Sequence, residues 1–146
     1  MAHFIFPLEN VLNYRLSIEN NVKQALANVL IEYREQRKIL EGINTSLKAT
    51  LNHHSSALDV TWLKHENIYR EYLIDCLKKQ QELVAELQQK IEDYMAKLVQ
   101  AHQNRLVLEK LKDKSWLRYR LEEDKKEQFQ IDEVGRNIFA YRKRGY

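Results

Sequence analysis

The sequence predicts an all-α protein, a long antiparallel two-helix coiled coil whose second helix is longer than its first. Three observations carry this expectation. The 146 residues include only three Gly and one Pro, against typical usage of about 7% and about 5%, so turn-forming material is scarce. Apolar side chains recur in alternating steps of four and three along most of the chain. One short stretch interrupts them. The expected organisation is a single coiled-coil domain over 1–146, with helix 1 at about 8–51, a turn at about 52–58, helix 2 at about 59–134 and a basic tail at 135–146.

Pro7 is the only proline. Proline is tolerated in a helix only at its first turn, so a helix starting at Pro7 or Leu8 accounts for its position. Stepping on from Leu8 gives Leu12, Arg15, Glu19, Val22, Leu26, Val29, Tyr33, Gln36, Leu40, Ile43, Leu47 and Thr50, and nine of these thirteen positions are apolar. The mean step of 3.5 residues keeps the stripe facing one partner helix, as in a left-handed coiled coil. Gly42 falls inside this segment at a cost of about 1 kcal/mol relative to Ala. It marks a local bend or a close helix contact within an otherwise continuous helix.

The pattern fails around Asn52-His53-His54-Ser55-Ser56, and Ser56-Ala57-Leu58-Asp59 reads as a capping box for the next helix. From Val60 to Val134 there is neither Gly nor Pro. The same stepping yields Trp62, Tyr69, Leu73, Cys76, Leu83, Leu87, Tyr94, Ala101, Leu108 and Leu111, with polar interruptions. At the helical rise, this helix would be on the order of 110 Å long, too long for a compact domain of this mass, so a rod is expected.

Folding about a centre near 55–58 pairs residue i with 110 to 116 minus i. Leu40 then meets Tyr72 to Cys76, and Leu8 meets the region 102–108. Some 35 to 40 residues of helix 2 are left without an intramolecular partner. They still carry Trp116, Leu117, Leu121, Phe129, Ile131, Val134, Ile138, Phe139 and Tyr141. Unpaired apolar residues of this kind point to a partner-binding surface.

Several function classes are excluded or disfavoured. No apolar run approaches about 18 residues, which argues against membrane insertion, and the start has neither a basic n-region nor a long apolar segment of a secretory signal. The lone Cys76 cannot form an internal disulfide and suits a reducing cytoplasm; on the seam it reads as a packing residue rather than a nucleophile. His3, His53, His54, His65 and His102 form no metal-ligand spacing, so no metal, cofactor or catalytic residue is expected.

Glycines at 42, 135 and 145 cannot build a phosphate loop, so any connection to ATP runs through a partner. Glu122-Glu123-Asp124-Lys125-Lys126-Glu127 is a solvated helix face with i, i+4 pairs rather than a carboxylate dyad. Residues 105–146 hold twelve basic and eight acidic groups of the net +3 chain. Arg136, Arg142, Lys143 and Arg144 make the end basic, but a basic end that follows a hairpin is not the arrangement of a zipper-type DNA binder, and no nucleic-acid partner is expected.

The two ends of the chain carry a resemblance. Phe4-Ile5-Phe6-Pro7-Leu8 leading to Val11-Leu12 and Arg15, together with Glu127-Gln128 and Ile131-Asp132-Glu133, resemble the FliJ family of flagellar export proteins over essentially the full length. The resemblance implies an antiparallel coiled coil similar to the central-stalk gamma subunit of rotary ATPases. It also implies the partners: the hexameric flagellar export ATPase FliI, whose ring assembly and activity such a stalk promotes, the export gate protein FlhA, and other export chaperones. The implied location is the cytoplasmic face of the inner membrane at the flagellar base, in the service of motility and chemotaxis.

The family's gate-contacting ladder falls on Gln36, Leu40, Ile43 and Leu47 of helix 1 and on Tyr69, Leu73, Cys76 and Gln80 of helix 2. Two aromatic places have become aliphatic, at Ile43 and Leu47, and the terminal His is replaced by Gln80. All eight residues also lie on the stepped seam, which needs such residues with or without a partner. The overhang residues Trp116, Leu117, Leu121, Ile131, Val134, Ile138 and Tyr141 form the second candidate surface. The alternatives are the corresponding stalk of a needle-type secretion system and a self-associating structural coiled coil.

Overall fold

A computed structural model describes residues 4–52 and 59–145. The described residues form two helices, α1 (Glu9–Asn52) and α2 (Val60–Arg144). Among the described residues there is no strand. The helices pack against each other as a hairpin with the second longer, as the periodicity requires.

Each end of a helix has a local cause. The Phe6 carbonyl accepts from the Glu9 amide at 3.2 Å and the Leu8 carbonyl from the Leu12 amide at 2.9 Å, so Pro7 sits in the opening turn, where its missing N–H removes no helical bond. The expected turn and the Ser56 capping box lie outside the described residues. The cap of α2 that is described belongs to Asp59, whose Oδ1 accepts from the Thr61 amide at 3.0 Å, satisfying one of the free donors of the first turn.

At the other end, α2 does not stop at Val134. It runs through Gly135 to Arg144, so most of the expected basic tail is helix. A single Gly costs a helix only about 1 kcal/mol, too little to end an 85-residue element. Gly42 likewise leaves α1 unbroken, and a Cβ at that position would meet nothing within 4 Å, so no close helix contact explains it.

The stepped stripe on α1 matches the interface closely. Of the thirteen positions, all but Leu8 are buried or half-buried. On α2 the seam departs from the expected steps. Arg70, Val84 and Lys112 are half-buried where the steps named Tyr69, Leu83 and Leu111, which are exposed, and Ile91 and Leu98 are buried or half-buried next to the polar interruptions at Lys90 and Lys97. A shift of one residue turns a helical side chain by about 100°; at 91 and 98 the inward residue is the apolar neighbour of a Lys, whereas between Leu83 and Val84 composition makes no choice and packing against α1 does.

The two helices organise into two compact units. One comprises residues 19–101. Its core holds Leu73, Leu87 and Ile91, with Leu87 only 1% exposed; full burial of such a side chain contributes about 1.5–3 kcal/mol. Gln36 meets Gln80 and Thr50 meets Arg70 across the helices, so the chains run antiparallel. Glu19 is buried too, its carboxylate 2.8 Å from the Lys23 ammonium. A buried carboxylate is tolerated only when its charge is met in this way.

The other unit comprises residues 4–18 and 102–145. Here Glu9 meets Lys112 at 2.7 Å and the ring of Phe4 lies 5.6 Å from that of Tyr119. Phe6 is buried. The apolar N-terminal motif is thus an anchor laid along α2.

The contacts also correct the expected register. Gln36 and Gln80 sum to 116, at the edge of the 110–116 range, whereas Thr50 with Arg70 sums to 120 and Glu9 with Lys112 to 121. Helical side chains lean toward their own N-terminus, so contacts between the tips of long Arg, Lys and Glu side chains fall several residues beyond the backbone register. Pairing reaches Tyr119, and the last half-buried residue of α2 is Glu123. The unpaired segment is therefore the twenty residues 124–143, all exposed, rather than 35 to 40. Phe4 to Phe6 are not helical, and non-helical chain can rise up to about 3.3 Å per residue against 1.5 Å in a helix, so a few such residues reach further along α2 than helix would.

Candidate partner-binding surfaces

The eight ladder residues all lie in the unit of residues 19–101. Gln36, Leu40, Ile43, Leu47, Cys76 and Gln80 are half-buried, Leu73 is buried and Tyr69 is 48% exposed. Seven of the eight are therefore part of the seam with its edges open, since a two-helix layer has nothing behind it to cover them, and Tyr69 stands outside it next to the inward Arg70. Gln80 Nε2 donates both to the Gln36 Oε1 at 2.8 Å and to the Gln36 carbonyl at 3.0 Å. Beside it, Tyr72 is hydrogen-bonded to Cys76, which raises the phenol above its ordinary 10.0.

Toward the turn, the ladder continues into a shallow cleft of about 430 Å³ lined by Ser46, Ala49 and Thr50 of α1 and Trp62, His65, Glu66 and Tyr69 of α2. Two of its lining residues are held by Arg70, whose Nη2 donates to the Thr50 carbonyl at 2.7 Å and to Glu66 Oε1 at 3.1 Å. The Thr50 carbonyl is among the last four of α1, which have no helical partner. The last turn of α1 contains no basic residue, so α2 supplies the cation that this helix terminus favours. Trp62 was legible as a seam residue; the cleft was not, because only cross-helix pairing brings its two walls together.

The second surface is on the other unit. Trp116 (45% exposed), Leu117 and Leu121 lie on the outer side of the paired stretch, before Glu123, rather than beyond it. Trp116 is covered on one face by the Arg120 guanidinium, 5.5 Å from the ring centroid. Ile131, Val134, Ile138 and Tyr141 do lie beyond the pairing and are open to solvent. Between the two groups, Lys126 Nζ donates to Glu123 at 2.9 Å, and this carboxylate raises the ammonium above its ordinary 10.5.

Among the described residues no group of three or more His, Cys, Asp or Glu could hold a metal ion, and no described helix is long and apolar enough to cross a membrane. What the surfaces offer is apolar and aromatic area with flanking charge.

The family model described as the flagellar FliJ protein matches residues 4–144. The chain belongs to the FliJ family. This is a non-catalytic helical family related to flagellar export, and the match spans both terminal motifs as well as the hairpin between them. No curated protein and no solved structure matches the chain. The match is to a flagellar family, which favours the flagellar reading over the needle-type alternative.

Proposed function

We propose that this FliJ-family chain is the stalk-like escort of a flagellar export apparatus: it binds the hexameric export ATPase, promotes ring assembly and hydrolysis, and links the ring to the export gate. The observation that carries this reading is the family match over a hairpin whose second helix overruns the first. An asymmetric hairpin seated in a six-fold ring touches each subunit differently, and so biases a cycle without itself binding nucleotide.

Within this reading the ladder of Gln36, Leu40, Ile43, Leu47, Tyr69, Leu73, Cys76 and Gln80 is the gate-facing surface, and its half-open edges support that role. The α2 surface of Trp116, Leu117, Leu121, Ile131, Val134, Ile138 and Tyr141 is the second contact, toward the ATPase or other export chaperones. The site of action is the cytoplasmic face of the membrane at the flagellar base.

The test is to add the purified chain to the cognate export ATPase. Co-elution of the two and a rise in ATP hydrolysis are expected, with the stimulation lost when the α2 surface is altered. Absence of both co-elution and stimulation overturns the reading.

A further inference from the structure

We propose that residues 127–143 of α2 form a self-complementary face that pairs antiparallel with the same segment of a second copy of this chain. The proposal goes beyond the ATPase reading and concerns the free chain: Ile131, Val134, Ile138 and Tyr141 also belong to the α2 surface assigned to the ATPase, so the self-pair and that contact exclude each other.

Ile131, Val134, Ile138 and Tyr141 follow one another in steps of three, four and three, which places them on one side of a continuous helix. They are 70%, 57%, 54% and 78% exposed. No part of α1 reaches them, so the stripe has the pattern of a coiled-coil seam and lacks its second helix. A pair of such stripes fits together about a two-fold axis level with residue 136: Ile131 stacks against Tyr141 of the second copy and Val134 against Ile138, each an a-to-d layer of an antiparallel coiled coil.

Charge decides that the occupant is a second copy and that it runs antiparallel. Residues 122–133 hold six acidic and two basic groups, whereas 134–143 hold three basic groups and no acidic one. The face is thus negative at one end and positive at the other. Antiparallel pairing sets each acidic end against a basic end, and Arg142 comes level with Gln130 of the second copy, within a turn of Glu127. Parallel pairing would instead set like charges side by side and bring the two Glu127 carboxylates, which continue the stripe one step before Ile131, into the seam together. Such repulsion is the usual selector of coiled-coil orientation.

The experiment uses the full chain with Cys76 replaced by Ala, carrying either Ile131→Cys or Tyr141→Cys. In the antiparallel pair residue 131 lies beside 141 of the second copy, while each residue is ten positions, or about 15 Å, along the axis from its own mate. Oxidation of a mixture of the two variants should give a covalent dimer in several-fold higher yield than either variant alone. Sedimentation of the unmodified chain should show mass rising with concentration, and Ile138→Asp should abolish that rise with helix content unchanged. Equal self-crosslinking of each single variant overturns the proposal in favour of a parallel pair. A concentration-independent monomer overturns it in favour of another protein on this face, and a dimer that survives Ile138→Asp places the interface elsewhere.

Discussion

Gln80 of α2 reaches across the seam to Gln36 of α1, donating to its side-chain oxygen at 2.8 Å and its backbone carbonyl at 3.0 Å. This is a polar contact inside an interface that is otherwise mostly aliphatic. Polar pairs at such positions contribute less to stability than an apolar pair but hold two helices in one register.

Replacing Gln80 with Ala should lower stability by about 1 kcal/mol, which in a chain of this size is about 3–5 °C in melting temperature. The double replacement Gln36→Leu/Gln80→Leu should recover that loss or exceed it, because exchanging both partners for apolar groups leaves no unsatisfied polar atom. Circular dichroism melts of the three proteins check both signs.

Leu40 and Cys76 share the sum of the glutamine pair, 116, so a Leu40→Cys variant should oxidise to an internal disulfide and migrate faster on a non-reducing gel. Disulfides need Cα atoms within about 7 Å, and one helical turn is about 5.4 Å, so Ile43→Cys and Gln36→Cys should give clearly lower yields. In the double-leucine background the contrast between positions 40 and 43 should narrow, if the glutamines hold the register. Covalent dimer without internal crosslink would mean that the hairpin pairing is wrong.

Arg70 caps the last turn of α1 through the Thr50 carbonyl. Arg70→Met keeps much of the stem's packing but leaves that carbonyl without its donor and Glu66 without its ion partner; the expected cost is about 1–2 kcal/mol. The loss should be local, with faster amide exchange in the last turn of α1 and little change near Gln36. Hydrogen exchange read by residue distinguishes this from a general loosening.

Truncation after Glu123 should leave the melting temperature of the hairpin nearly unchanged, because residues 124–143 are exposed throughout. It should remove the self-association and weaken binding to the export ATPase. Truncation after Leu108 should be measurably worse for stability, since it also strips Lys112 from Glu9 and Tyr119 from Phe4. Equal melting temperatures for the two truncations would show that the N-terminal anchor contributes nothing.

The sequence by itself determined that this is a pair of long helices with one break, which face of α1 is buried and which family the chain resembles. These are properties of local propensity and of period, and twelve steps from Leu8 to Thr50 were enough to define the buried stripe. The tertiary structure alone decided that Val84 rather than Leu83 turns inward on α2, and that Arg70 closes the end of α1. It also decided where pairing stops, leaving Trp116, Leu117 and Leu121 on the outside of the paired stretch and Ile131 to Tyr141 beyond it. The physical reason is that a heptad pattern specifies a seam but not its partner's register. Register is settled by contacts between residues far apart in the chain, by the lean of long side chains and by the non-helical residues Phe4 to Phe6 that lead the N-terminus to Tyr119.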